Sequence, residues 1–232
     1  MAERPRALVT GANRGIGLFI TRQLVEHGFH VHRMCRTPPE ESLPESTIHY
    51  VDLSDEEAVL TLADQLQVPD VLVNNAGYMN PITALDYTEQ KRREILQVNL
   101  ITAVQLSIRI GARMAERGSG RVVSLGSIAG TIGHPDIWYG VTKAGLANAM
   151  RSLARSYGER GVTFNTVAPG PVETDMQRDN DPTRKARLRS LTFANRFGEP
   201  EEVARVVTWL ATEAPLYLNG EVIDLNDGAN FR

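Results

Sequence analysis

The stretch Thr10-Gly11-Ala12-Asn13-Arg14-Gly15-Ile16-Gly17 decides the fold. It follows an apolar run at 6–10 that reads as a buried strand, and it opens a periodic pattern at 16–27 that reads as an amphipathic helix. A glycine-rich turn between a first strand and a first helix is where a doubly wound sheet holds a dinucleotide. Gly11 suits the tight turn, and Gly15 carries no Cβ to keep the backbone away from a diphosphate. Gly17 lets the helix pack close to the strand. The helix N-terminus then offers free N–H groups and the positive end of its dipole to phosphates. The spacing Gly-x-x-x-Gly-x-Gly differs from the commoner Gly-x-Gly-x-x-Gly, so the flanking strand and helix separate this turn from an ordinary glycine-rich loop.

Outward from the turn, β-branched apolar runs alternate with helical patterns along the whole chain. Strands are expected at 6–10, 30–35, 47–51, 70–74, 120–127, 163–168 and 221–225, and helices at 16–27, 55–66, 88–117, 137–158 and 200–212. The long middle segment should divide near Asn99. Such alternation predicts an α/β protein: one Rossmann domain over 1–232, with a doubly wound seven-stranded parallel sheet and helices on both faces. The segment 36–46, with Pro38, Pro39 and Pro44, reads as a surface loop. The irregular segment at 171–198 reads as a substrate flap with a short helix near 183–191.

A chain of 232 residues is long enough for one large core. Its net charge of −3 comes from mixed residues without a basic run, which argues against nucleic acid or a membrane surface as partner. The single cysteine, Cys35, excludes an internal disulfide framework and suits a reducing compartment. No signal-peptide pattern precedes the first strand, and no apolar stretch reads as long enough to span a bilayer, so a cytoplasmic location is expected.

Four more signals fall where a nucleotide-binding sheet needs them: Asn74-Asn75-Ala76-Gly77 closing the fourth strand, Asn99 inside a helical segment, Ser124-Leu-Gly-Ser127 closing the fifth strand, and Tyr139-Gly-Val-Thr-Lys143 opening a helix. With the glycine turn, Asp52 after the third strand, and Pro169-Gly170-x-Val172-x-Thr174, the chain resembles the short-chain dehydrogenase/reductase family from Thr10 to Gly228. Within that family it looks most like the 3-oxoacyl thioester (acyl-carrier-protein) reductases. Two departures stand out. Ser127 precedes Tyr139 by twelve residues where the family often has thirteen, and Asn226-Asp227-Gly228 stands where the family usually has a double glycine.

The resemblance implies a catalytic set of Asn99, Ser127, Tyr139 and Lys143. Tyr139 and Lys143 are four apart and share a helix face. A nearby ammonium should lower the phenol's pKa toward the working range. In reduction Tyr139 would donate its proton to the carbonyl oxygen, Ser127 would hydrogen-bond that oxygen, Lys143 would also bond the nicotinamide ribose, and Asn99 would order a water. Ser124 is the rival serine, expected inside the strand and bonded within the fold. The implied cofactor contacts are Gly11, Asn13, Arg14, Gly15, Ile16, Gly17, Arg36, Asp52, Leu53, Asn75, Ala76, Gly77, Tyr139, Lys143, Pro169, Gly170, Val172 and Thr174. An acid ending the second strand would bind the ribose of NAD. Here Cys35 takes that place, Arg36 follows, and Arg14 adds a second cation, so NADP(H) is the expected cofactor. No metal is expected: His27, His30 and His32 lack a third oxygen or sulfur ligand at a usual spacing.

The expected activity is NADPH-dependent reduction of a ketone to a secondary alcohol. An NAD-linked alcohol or sugar dehydrogenase is the first alternative, and a non-catalytic NADP-binding regulator the second. The pocket should lie between 128–138, 78–83 and 176–197, and Trp138, Met176, Leu191 and Phe197 should make it largely apolar. Arg184, Lys185, Arg187 and Arg189 form a basic patch near Asp175, Asp179 and Asp181, suited either to an acidic carrier or to local neutralisation. A small-molecule carbonyl or alcohol is the expected partner. The resemblance further implies a homotetramer or homodimer built across 102–117 and 137–158.

Overall fold

Strand β1 (Arg6–Thr10) is sealed on both faces, with Ala7, Leu8 and Val9 wholly buried. It pairs in parallel with β2 (His30–Cys35) on one side and β4 (Val71–Asn74) on the other, Ala7 lying opposite both Val31 and Val71. Such double burial needs helices above and below. The computed structural model, which describes residues 4–80, 82, 84–175 and 181–231, has seven parallel strands in the order β3-β2-β1-β4-β5-β6-β7. The remaining strands are β3 (Ser46–Tyr50), β5 (Gly120–Leu125), β6 (Val162–Pro169) and β7 (Val222–Leu225). The order reverses between β1 and β4, so their carboxyl ends border the crevice where ligands bind in this architecture.

Helix α1 (Gly15–Glu26) packs with α8 (Pro200–Thr212) on one face, where Ile20, Leu24, Val203, Val207 and Leu210 meet Val9, Val31 and Val123. On the other face α2 (Glu56–Gln65), α4 (Thr102–Arg117) and α6 (Ile137–Tyr157) bring Val59, Leu106, Ile110, Leu146 and Met150 onto Leu8, Leu72 and Phe164. The middle segment does not break at Asn99. Helix α3 (Glu89–Leu96) passes through a π-helical turn at Gln97–Ile101 into α4. Contrary to expectation, Glu89–Arg117 is long and apolar enough to cross a bilayer, with mean hydropathy 1.4 in its most apolar window. Its apolar side is nonetheless core, since Leu106, Ile110 and Met114 are fully buried.

Several boundaries differ from expectation. β5 ends at Leu125, so Ser127 lies beyond the strand, and an unexpected short helix α5 (Ala129–Ile132) follows. In the flap, α7 (Pro182–Arg189) starts behind Asp181, whose carboxylate accepts the Arg184 N–H at 2.9 Å. The turn after β7 keeps the left-handed backbone a glycine pair would supply, with Asp227 at φ 48° and Gly228 at φ 77°. Asp227 offsets that strain by accepting the Ala194 and Phe193 N–H groups at 2.8 and 3.0 Å, which ties the flap to the sheet.

His32 of β2 and His49 of β3 meet nitrogen to nitrogen at 3.0 Å, and His30 bonds the Thr47 hydroxyl at 2.9 Å. These imidazoles are engaged with each other and with Thr47. Burial, then the neighbouring His49, His30 and Arg6, pull the His32 pKa from 6.5 to about 4. Burial also lowers His49. The folded state therefore resists protonation that the unfolded chain accepts. The stability held by neutral His32 is complete above pH 6.5 and is lost as pH falls from 6.5 towards 4. Thermal melts across that window should show a falling Tm, and His32→Gln should flatten the slope. An equal slope in both proteins refutes the assignment.

Candidate active site

The glycine turn is shaped by contacts that only glycine allows. A Cβ on Gly17 would lie 2.2 Å from the Gly11 carbonyl oxygen, and one on Gly11 (φ 65°) would lie 2.9 Å from Ala76 Cα. Around Gly15 (φ 52°) there is open space, the nearest atom being Thr174 Cγ2 at 4.0 Å from a Cβ position. A ligand can therefore approach the backbone at Gly15, in front of the free N–H groups of α1. The motif after β4 braces the turn from behind. Asn75 Nδ2 donates to the Thr10 and Gly11 carbonyls at 3.0 Å each, and the Thr10 hydroxyl accepts the Asn75 and Ala76 N–H groups at 3.1 Å. Asn75 is thus a structural brace here as well as a candidate cofactor contact.

The sequence reading missed Arg33. Its guanidinium, fully buried, donates from Nε and Nη2 to the Ala12 carbonyl at 3.2 and 2.7 Å and from Nη1 to the Glu41 carbonyl at 3.0 Å. Asn13 adds to the same seam: its Nδ2 donates to the Thr37 hydroxyl at 2.8 Å and its carbonyl accepts the Glu40 N–H at 2.9 Å. The 36–46 loop is thereby clasped to the turn. The only available signal was an arginine on the core face of β2, where Val31 and Cys35 also point.

Asn99, Ser127, Tyr139 and Lys143 converge beside this turn. The π-helical turn carries Asn99, 1 % exposed, whose amide accepts the Tyr78 N–H at 3.0 Å and donates to the Tyr78 carbonyl at 2.7 Å. A Cβ on Gly77 would sit 3.3 Å from Asn99 Oδ1 and 3.4 Å from Lys143 Nζ, so Gly77 leaves room where the two approach. Lys143 Nζ donates to the Leu125 carbonyl at 2.6 Å and lies 5.7 Å from the centre of the Tyr139 ring. Ser127 hydrogen-bonds Tyr139 through their side chains despite the shorter spacing. Gly130 and Gly140 make that fit possible: a Cβ on Gly130 would stand 2.8 Å from the Ala144 nitrogen, and one on Gly140 3.1 Å from the Ala129 carbonyl, so α5 lies directly on α6. Ser124 is buried and accepts from Asn74 Nδ2 at 3.1 Å, as its place inside the strand implied.

A glycine turn, a serine–tyrosine pair and a lysine one helical turn on are joined by a match over almost the whole chain. The family model described as enoyl-(acyl carrier protein) reductase covers residues 11–230. This chain is a short-chain dehydrogenase/reductase. It is 36 % identical to the 3-oxoacyl-(acyl-carrier-protein) reductase FabG of Vibrio harveyi, over 96 % of each chain. It is 35 % identical to the reductase MabA of Mycobacterium bovis, over 95 % of this chain and 91 % of MabA. Among solved structures, a Beutenbergia cavernae protein assigned as an NAD(P)-dependent gluconate 5-dehydrogenase, with NADP bound at low occupancy, superposes with a TM-score of 0.89. That protein shares 31 % identity, covering 97 % of this chain and 96 % of its own.

In this dehydrogenase/reductase the Tyr139 phenol is not drawn down as expected. Burial raises the Tyr139 pKa, the Ser127 hydrogen bond opposes that rise, and the charge of Asp136 adds to it. Burial also pulls Lys143 down from 10.5 to about 8. Desolvation wins because both groups are shut away from water, and the lysine amine is engaged by a carbonyl rather than by the phenol.

The two cations of the enzyme's predicted phosphate site are both engaged by acids at the surface. Arg14 Nη1 lies 2.5 Å from Asp175 Oδ2, and Arg36 Nη1 lies 3.8 Å from Asp52 Oδ2. Asp52 also accepts the Ser54 N–H and hydroxyl at 2.9 Å, and the Leu53 carbonyl accepts the Thr102 hydroxyl at 2.8 Å. Cys35 is buried packing, its thiol raised by burial. At the far end, Pro169 accepts the Ile128 N–H at 3.1 Å and Gly170 donates to the Leu225 carbonyl at 2.9 Å. Val172 is buried and bridges to Gly198.

The residues expected to line the pocket are joined by polar groups near Tyr139. Phe197 is buried beneath Arg189 rather than open to a pocket, and Leu191 is largely exposed. Trp138 packs edge-on to Tyr87, with Arg92 over its ring. Asn80, Tyr87, Asp136 and His134 supply polar atoms close to Tyr139. Thr83, Met176 and Asp179, also expected near the pocket or flap, lie outside the described residues.

Proposed function

We propose that the protein reduces ketones to secondary alcohols with NADPH, 3-oxoacyl thioesters being the substrate class favoured by its relatives. The observation that carries this reading is the buried Tyr139 phenol, hydrogen-bonded to Ser127 and with Lys143 one helical turn away. Burial keeps the phenol protonated, which is the state a proton donor needs. A reduced nicotinamide supplies the hydride when bound. Ser127 is placed to hydrogen-bond the carbonyl oxygen as its charge develops, and Tyr139 to protonate it. Lys143, with its pKa near 8, can return a proton to the phenolate in the same pH range. The polar side chains near Tyr139 and the gluconate 5-dehydrogenase likeness favour polyol oxidation as the second reading. The intact four-residue set supports turnover over a purely regulatory role. Assay with NADPH of 3-oxoacyl thioesters, 2-enoyl thioesters and polyols decides among these: 3-oxoacyl reduction is expected, and exclusive polyol or enoyl turnover overturns the reading.

Cofactor choice rests on Arg14 and Arg36 together with Cys35 in place of an acid. Phosphate forms charge-assisted bonds with guanidinium that a ribose hydroxyl does not. Fluorescence titration should give a Kd for NADPH about tenfold or more below that for NADH. Arg36→Asp should reverse the order. Equal affinity in the unmodified protein refutes the phosphate site.

The same reading includes a cytoplasmic homotetramer or homodimer. Ile108 on α4 and Ile137 and Val141 on α6 are exposed apolar residues that a partner would cover. Light scattering that reports a monomer at working concentration rejects this part.

A further inference from the structure

Asp136 is a carboxylate with 2 % of its surface exposed. It caps α6: Oδ1 accepts the backbone N–H of Tyr139 at 3.0 Å. The same oxygen accepts the Tyr87 hydroxyl at 2.6 Å, and Oδ2 accepts the Asn80 N–H at 2.7 Å. Asn80 Nδ2 in turn donates to the Tyr87 hydroxyl at 3.0 Å. The Asp136 N–H donates to His134 Nδ1 at 3.1 Å, and the His134 ring stands edge-on to Tyr139 at 5.2 Å. One side chain thus fastens the loop after β4 to the helix that presents the catalytic phenol.

A cap alone does not require this residue. Serine or asparagine caps a helix as well, without a charge to desolvate. A carboxylate held dry by three aimed donors adds a fixed negative charge next to Tyr139. We propose that Asp136 is a positioning residue for proton transfer, whose carboxylate fixes the Tyr139 helix against the Asn80–Tyr87 loop and sets a negative charge beside it. The kinetic part of this inference rests on the ketone-reduction reading. The spectroscopic part does not.

The groups that face Tyr139 set the sign. Ser127, from the segment after β5, favours the phenolate, and Asp136 opposes it. Lys143 lies on the same helix, one turn on. His134 approaches from the α5–α6 loop, its pKa lowered by burial and with Arg184 of α7 among its surroundings, so it adds no charge at neutral pH. Tyr87 is pushed well above the usual phenol range, by burial and then by its bond to Asp136, so it remains a donor to that carboxylate.

The test compares the holoenzyme with Asp136→Ser, which keeps a cap oxygen without the charge, and with Tyr87→Phe, which removes a donor that partly neutralises the charge. Phenolate absorbance is titrated in each protein and in its Tyr139→Phe counterpart, so the difference reports Tyr139 alone. In Asp136→Ser the Tyr139 transition should fall by about one pH unit, and in Tyr87→Phe it should rise by a few tenths. The alkaline limb of kcat for ketone reduction should move with it in both variants, with kcat itself lowered about tenfold in Asp136→Ser. An unmoved Tyr139 transition in both variants, or lost kcat with an unmoved alkaline limb, overturns the inference. If Asp136→Ser does not fold, the rise in Tyr87→Phe decides alone. Opposite shifts in the two variants with no ketone turned over uphold the positioning role and reject the proposed reaction.

Discussion

Tyr139→Phe should lower kcat for ketone reduction by about 10²–10⁴-fold, the usual contribution of a positioned general acid. The substitution removes one oxygen and leaves the ring in its buried site. Ser127 is not orphaned by it, because its hydroxyl also accepts the Ala129 N–H at 3.1 Å. Folding should therefore survive, and the melting temperature should stay near that of the unmodified protein. NADPH affinity should fall only slightly, since Tyr139 is one of many implied contacts and the glycine turn and its cations are untouched. That combination, bound cofactor without turnover, separates loss of the proton donor from collapse of the site. A Tyr139→Phe enzyme that keeps turnover within about tenfold of the original would show that the proton comes from elsewhere, and the mechanism above would fall.

The alternation of strands and helices was readable because the central strands β1, β4 and β6 are buried almost throughout, which favours continuous apolar runs. The glycine turn was readable for a different reason: Gly11 and Gly17 stand where a Cβ would meet backbone at 2.9 and 2.2 Å, so no other residue type fits. The convergence of Asn99, Ser127, Tyr139 and Lys143 was readable from order and spacing, even with one residue missing between Ser127 and Tyr139. What makes that shorter loop work was hidden. Gly130 and Gly140 matter only through a contact between α5 and α6, which no local pattern announces. The π-helical turn at Asn99 was equally hidden, because it continues the helix instead of interrupting it. The direction of the Tyr139 shift was misjudged since four-residue spacing signals the ammonium, whereas burial, which outweighs it, comes from tertiary packing. The apolar pocket was inferred from single residues, whose orientation no local pattern shows. Phe197 turned inward instead, and Asp136 gathered two donors from the distant loop after β4.

Arg33 is the sharpest case, and it makes a testable claim about the cofactor site. An arginine at the fourth place of β2 would ordinarily be assigned to solvent. Here the Ala12 carbonyl, inside the glycine turn, is buried with its residue and needs a donor, and Arg33 supplies two N–H groups to it. A third N–H reaches the Glu41 carbonyl and holds the adjoining loop. Replacing a buried ion pair by apolar residues can be harmless when both partners go. Here the partners are backbone carbonyls and must remain. Arg33→Met keeps much of the side-chain length and leaves Ala12 and Glu41 without those donors, at about 1–3 kcal/mol for the buried Ala12 acceptor and less for the half-buried Glu41. A total of about 3 kcal/mol corresponds to a fall of about 6–12 °C in Tm for a domain of this size. The turn would also lose its brace beneath the diphosphate position, so the NADPH Kd should rise about tenfold while the Tyr139 titration stays where it was. Differential scanning calorimetry and fluorescence titration read the two effects separately. A variant that melts at the original temperature and binds NADPH as tightly as before would show that the turn holds its shape without the guanidinium.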